Sequence, residues 1–237
     1  GQVVRSASGQ PSQKRAAHVS AADNAHSCHL TPTEWIESYT NYGFRRRKTE
    51  EPRGPLSGMV LPIVNRFVAG TDAAEAIDHV HACNGDGIAG IVNLLGEHYD
   101  DRADADADTQ AYVDLVRDLD ATGLDCCVSV KPSQIGLDLG DDVFRENLSR
   151  IVDASDTFVW IDMEDHETVD VTLDAYEEHA RATDGNVGLC VQANLRRTGD
   201  DLERLVDLPG KVRLVKGAYD PPKEIAYKEK SRVDEAY

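Results

Sequence analysis

Along the chain from residue 59, short apolar runs alternate with longer stretches in which apolar and charged positions are mixed. GIAGIVNLLG (87–96), DCCVSVKP (125–132), TFVWIDMED (157–165), VGLCVQA (187–193) and KVRLVKGAY (211–219) read as strands. Between them, 71–84 has helix-forming composition behind a Thr/Asp cap, and 106–121, 141–155, 168–183 and 200–208 are helical. The last stretch, 224–237, reads as helical again. Strands alternating with helices of ten to fifteen residues make βαβ units and a parallel sheet. Each of the five strands ends in polar or charged residues: Gly96-Glu97-His98, Lys131, Asp162 to Asp165, Gln192, and Lys216 to Tyr219. In a β/α barrel the active site sits at that end. A doubly wound open sheet is the rival, but it would carry GxGxxG after its first strand, and no strand here is followed by that pattern.

The first 58 residues differ from the rest. Residues 1–27 are polar and aperiodic, which predicts disorder, and Arg45-Arg46-Arg47-Lys48 leads through EEPRGPLSG as a basic stretch into a linker. One helix is expected there: Thr31-Pro32-Thr33-Glu34 supplies an N-cap, a first-turn proline and a capping-box glutamate before WIESYTNY, with Gly43 available to stop it. The predicted organisation is an N-terminal extension, 1–58, followed by a barrel-forming domain, 59–237. Met59 is the first of only two methionines. It is read as the native start, the rival being a genuine extension whose helix packs on the barrel.

Composition permits one domain with a core that needs neither disulfides nor metal: 237 residues, 41% hydrophobic. The charge is uneven. Residues 1–58 hold 8 Lys+Arg against 5 Asp+Glu, and the rest hold 17 against 38, for a net charge of −18. So acidic a body repels nucleic acid and disfavours binding to anionic membranes. Runs such as DDRADADAD (100–108), with Arg outnumbering Lys, are the composition expected of a protein adapted to high salt, where screening removes self-repulsion. Five cysteines without CxxC spacing imply no disulfide framework or zinc site and fit a reducing cytoplasm. No apolar run approaches the roughly twenty residues that span a bilayer, so the chain is expected to be soluble, or at most peripheral to a membrane.

The most informative segment is VRLVKGAYDPP (212–222), a buried-strand apolar run that carries Arg213, Lys216 and Tyr219 before a double proline. Alternation puts Arg213 and Val215 on one side and Lys216 on the other, and Gly217 is expected to let the backbone approach a ligand. Taken with SVKPSQ at 129, VWIDMED at 159 and VQANLRR at 191, this segment resembles the proline dehydrogenase family from about Met59 to the C-terminus. The resemblance implies a distorted (βα)8 barrel holding FAD at the strand ends. It also implies oxidation of L-proline to Δ1-pyrroline-5-carboxylate by hydride transfer from C5 to flavin N5, with electrons passed to a membrane quinone. Carried over by motif, Arg213 lies against flavin N5 and holds the developing negative charge. Lys216, Gly217 and Ala218 border the flavin, and Val215 and Met163 pack beside it. Gln192 contacts the edge of the isoalloxazine ring. Lys131 binds the proline carboxylate and Tyr219 forms part of the substrate wall. Asp162 orients Lys131 or Arg213, although Arg213 paired with Asp162 or Glu164 is also what a purely structural strand-end ion pair would look like. Glu164-Asp165-His166-Glu167 reads as a solvated loop rather than a metal site, and His98 receives no role.

The departure from the family is length. Five strands do not close a barrel, and the family adds three more, with a last helix whose paired arginines grip the substrate carboxylate. The expectation is therefore an incomplete (βα)8 barrel of about five units, marginally stable and inactive until a C-terminal segment completes it. Two other functions fit the residues: a catalytically inactive barrel remnant, or a Schiff-base lyase or aldolase using Lys131 or Lys216 as nucleophile.

Overall fold

Every predicted apolar run becomes a parallel strand, and these strands stand side by side in chain order. The computed structural model describes residues 42–44, 68–70 and 72–237. Within them, β1 (Tyr42–Phe44), β2 (Val68–Gly70), β3 (Gly90–Leu94), β4 (Cys126–Val130), β5 (Val159–Ile161), β6 (Val187–Gln192) and β7 (Lys211–Val215) form a sheet of order β2-β1-β3-β4-β5-β6-β7. The helices are α1 (Ala73–Gly85), α2 (Arg102–Thr122), α3 (Asp141–Val152), α4 (Val169–Ala182), α5 (Thr198–Leu205) and α6 (Lys230–Ala236). Successive right-handed crossovers between neighbouring parallel strands put their helices on one face of the sheet. Asp72 and Asp101 start α1 and α2 by accepting from the amides of Glu75 and Ala103 at 3.0 and 2.8 Å.

Two points differ from the sequence reading. β1 and β2 were not expected; at three residues each they are too short to show a period. The helix expected up to Gly43 lies outside the described residues except at its end. There Tyr42, Gly43 and Phe44 pair as strand with Val92, Asn93 and Leu94, so residues from both sides of Met59 share one sheet. In the stretch 224–237 only Lys230–Ala236 is helical. Ahead of it, Arg196 donates its amide to the Ile225 carbonyl and Tyr227 donates to that of Asn194, at 2.9 and 2.8 Å. Tertiary pairing has taken the backbone groups a helix would need.

Strand alternation separates two faces. Val92, Leu94, Val128, Val130, Val159, Ile161, Val187 and Leu189 are buried and join Tyr112, Phe144, Leu148, Leu173 and Tyr176 from the helices in one core. Asn93, Cys127, Ser129, Trp160 and Arg213 alternate with these residues and occupy the other face. Tyr112 fastens the two layers: its hydroxyl accepts from the Leu94 amide at 3.0 Å and donates to the Ser129 carbonyl at 2.9 Å. β7, expected to be buried, is an edge of the described sheet, with Val212, Leu214 and Val215 only half-buried. Among the described residues no helix is long and apolar enough to cross a membrane.

One buried titratable group in the helix layer should be visible in the stability. His179 on α4 lies 3.4 Å from the Ser149 hydroxyl of α3. Burial depresses its pKa below 6.5, against the opposing pull of Glu178 and Asp153 and with the help of Arg145. The unfolded histidine therefore takes up its proton first as pH falls, so stability is complete above the unfolded pKa and declines below it. The melting temperature should fall more from about pH 7 to 5 in the native protein than in His179→Gln. Parallel curves for the two proteins would show that burial of this ring does not govern the acid limb.

Candidate active site

Arg213, on the polar face of β7, is held on three sides. Its Nη2 donates to Asp162 Oδ1 at 2.9 Å and reaches Ser129 Oγ at 3.4 Å. Ser129 Oγ in turn donates to the same carboxylate oxygen at 2.7 Å. The guanidinium carbon stands 4.9 Å over the ring of Trp160. That ring has room because residue 188 is glycine, where a Cβ would come within 2.4 Å of it. Trp160 packs edge-on to Phe158 at 5.1 Å, and Lys211 lies over the far ring at 4.5 Å.

A second cluster forms around Glu164. This carboxylate, expected in a solvated loop, is 2% exposed. It accepts from the amide and hydroxyl of Ser133 at 2.7 and 2.9 Å and from the Tyr219 hydroxyl at 3.3 Å. Lys131 Nζ lies 3.8 Å from Glu164 and 3.4 Å from Glu97. Burial works against the charged lysine, but the surrounding Tyr219, Glu164, Asp162 and Glu97 outweigh it and raise its pKa. Burial and then Glu164 push the Tyr219 phenol up to about 12. Gln192 Nε2 donates to the carbonyls of Glu164 and Met163 at 2.7 and 3.2 Å, which ties the end of β6 to the loop after β5.

Of the residues singled out in the sequence, Lys131, Asp162, Met163, Gln192, Arg213 and Tyr219 converge on the C-terminal ends of β4 to β7. Asp162 orients Arg213 directly and touches Lys131 only through its field. The others take different positions. Lys216 pairs with Asp234 of α6 and lies 5.4 Å from the Tyr237 ring centroid. Val215 packs against the hydrophobic core, and Ala218 is exposed. Gly217 has φ of 104°, and a Cβ there would come within 2.3 Å of the Asn194 amide. Its lack of a side chain leaves room for the Asn194 side chain. His98, given no role, pairs through Nδ1 with Asp138 at 2.9 Å.

Ser129, Ser133, Trp160 and Glu164 were missed as site residues. Ser129 precedes Lys131 by two and Glu164 follows Asp162 by two, the same-face spacing of a strand, which was a usable signal. A Schiff-base nucleophile needs a neutral amine. Lys131, raised in pKa, and Lys216, held by a carboxylate, do not suit that role.

Among the described residues, Gln192 Oε1 and Arg213 Nε find no hydrogen-bond partner, although both are buried. A buried polar atom left unpaired costs about 1–3 kcal/mol. One acceptor, and one donor that is part of a fixed guanidinium, suit the edge of a planar heterocycle that carries both donors and acceptors, as a flavin ring does.

A family model described as Proline dehydrogenase matches residues 76–233. Proline dehydrogenase of Deinococcus radiodurans is 36% identical over 182 residues, covering 74% of this chain and 59% of its own length. Proline dehydrogenase 2 of Bacillus subtilis (strain 168) is 31% identical over 175 residues, covering 73% of this chain and 57% of its own length. The chain thus spans somewhat under three fifths of these relatives. Among solved structures, proline utilization A (PutA) from Bdellovibrio bacteriovorus, inactivated by N-propargylglycine, is similar with a TM-score of 0.67 and 21% identity. The match covers 76% of this chain and 24% of that one. Proline utilization A from Corynebacterium freiburgense gives a TM-score of 0.62 and 23% identity over 76% of this chain and 22% of that one. At such identities the structural likeness concerns the fold.

Proposed function

The chain belongs to the proline dehydrogenase family, and on that premise we propose that it oxidises L-proline to Δ1-pyrroline-5-carboxylate, with FAD as cofactor and a quinone as electron acceptor. The observation that carries the reading is the pairing of two clusters on one set of strand ends: Arg213 locked by Asp162, Ser129 and Trp160, and Lys131 flanked by Glu164 and Tyr219. The sheet is then part of a (βα)8-type barrel contributed by residues 59–237, and residues 1–58 are an extension that lends β1 to it.

In this reading Lys131 binds the proline carboxylate as a protonated point charge, and Tyr219 walls the ring. At C5 the C–H bond breaks and its electron pair departs as hydride. The nitrogen lone pair closes the C=N bond, and the amine proton is released to solvent. FAD, when bound, supplies the acceptor for that hydride. Arg213 holds its charge beside the acceptor without reorganising, because its partners fix the guanidinium beforehand. Gln192 presents its free oxygen to the cofactor edge, with its amide nitrogen already committed to two carbonyls. Delivery of electrons to a membrane quinone implies transient contact of an otherwise cytoplasmic protein with the membrane surface.

In flavin-loaded protein completed by a family-like C-terminal segment, anaerobic addition of L-proline should bleach the visible flavin absorbance, and a soluble quinone should restore it. A flavin that dithionite bleaches but proline does not would overturn the assignment.

A further inference from the structure

Glu164 has the least exposed carboxylate among the described residues, and its contacts reach every strand end of the site. Its side chain takes two bonds from Ser133 and one from Tyr219, in the loops that follow β4 and β7, and it neighbours Lys131 at the end of β4. Its carbonyl accepts from Gln192 at the end of β6 at 2.7 Å. Ser133 Oγ also accepts from the His98 amide at 3.0 Å, which brings in the loop after β3. The residue itself follows β5. A charge so withdrawn from solvent and so fully bonded is poorly placed to touch a substrate, but well placed to hold others that do.

We propose that Glu164 is a positioning residue that sets affinity for proline by holding Lys131 and Tyr219 in one arrangement. This rests on the assignment of those two residues to the substrate. A lysine ammonium is a point charge on a flexible stem and needs a fixed counter-charge to stand still. Glu97 is 56% exposed at its side chain, so it fills that need poorly, whereas Glu164 is pinned. Tyr219 is tied to the same oxygen as the lysine, so wall and cation move together or not at all. The Asp162–Arg213–Ser129 cluster bonds to neither, so the hydride step should be insulated from changes at Glu164.

Several titratable groups face this hub. Glu97, Asp162, Tyr219 and Glu164 surround Lys131, and Lys131, Tyr219 and His98 surround Glu164. Removing the Glu164 charge takes away one of the groups that keep Lys131 protonated, so the lysine pKa should move down.

The test is Glu164→Gln in the flavin-loaded protein. KM for proline should rise roughly tenfold, the size expected when a bond to a charged group is lost, with kcat within about threefold of the native value. The alkaline limb of kcat/KM should move to lower pH. An NMR titration of Lys131 in protein without substrate should show the same downward shift, and Glu164→Asp should restore both. Unchanged KM with an unchanged Lys131 titration would overturn the inference, as would a fall in kcat at constant KM. If Glu164→Gln fails to fold, Ser133→Ala should raise KM severalfold in the same manner, and its failure to do so overturns the inference equally. Native protein that proline cannot bleach would sink the assigned reaction, whereas native turnover with an indifferent Glu164→Gln sinks only this inference.

Discussion

Arg213→Met is expected to slow proline-dependent bleaching of the bound flavin by two to three orders of magnitude while leaving most of the flavin bound. Methionine keeps roughly the length and packing of the stem over Trp160 but removes the charge, so the loss isolates the electrostatic contribution. Removing one preorganised group at a centre where charge develops typically costs about 3–4 kcal/mol. Retention suffers less, because Gln192 and the strand-end loops contact the cofactor independently in this reading. Arg213→Lys should recover only part of the rate, since an ammonium cannot bond Asp162 and Ser129 and stack on a ring in the same planar way. Single-turnover rates measured anaerobically decide the matter, and a methionine variant as fast as the native protein would remove Arg213 from the chemistry.

Gly217→Ala should be the most damaging single methyl addition near the site, lowering stability by on the order of 3 kcal/mol. Two effects add. At φ of 104° an L side chain is strained, and the new Cβ would stand 2.3 to 2.5 Å from three atoms of the Asn194 side chain. The Asn194 backbone is fixed, its N–H bonded to the Lys216 carbonyl at 3.0 Å and its carbonyl to the Tyr227 N–H at 2.8 Å, so relief must come from rotation of its buried side chain. Shortening the partner in Asn194→Ala/Gly217→Ala should return the steric part and leave the backbone part, so the double variant should be more stable than the sum of the singles. A melting temperature within a degree or two of native for Gly217→Ala would show that the β7 turn is far more pliant than its bonding suggests. Displacement of this turn also moves Tyr219, two residues on, away from Glu164, so KM for proline should rise in whatever fraction stays folded.

The five strands from β3 to β7 and most of the helices were legible because each announces itself locally, the strands as apolar runs and the helices as longer stretches of mixed apolar and charged positions whose covered face recurs with the helical period. The family was legible for a related reason, since the groups that serve one site lie in four short motifs at strand ends. β1 and β2 were not, because three residues carry no period and their identity as strands lies in their neighbours. The break before α6 was not, because it depends on backbone bonds to the loop after β6. Within the site, charge and motif by themselves picked out Lys131, Asp162, Gln192, Arg213 and Tyr219. Only the tertiary structure decided that Lys216 turns to Asp234, that Gly217 serves Asn194, and above all that Glu164, in a run of four polar residues, is buried and bonded. Sequence records the type and order of side chains. The burial and partners of a carboxylate are set by which loops the sheet brings together, and for Glu164 those are loops from up to 55 residues away along the chain.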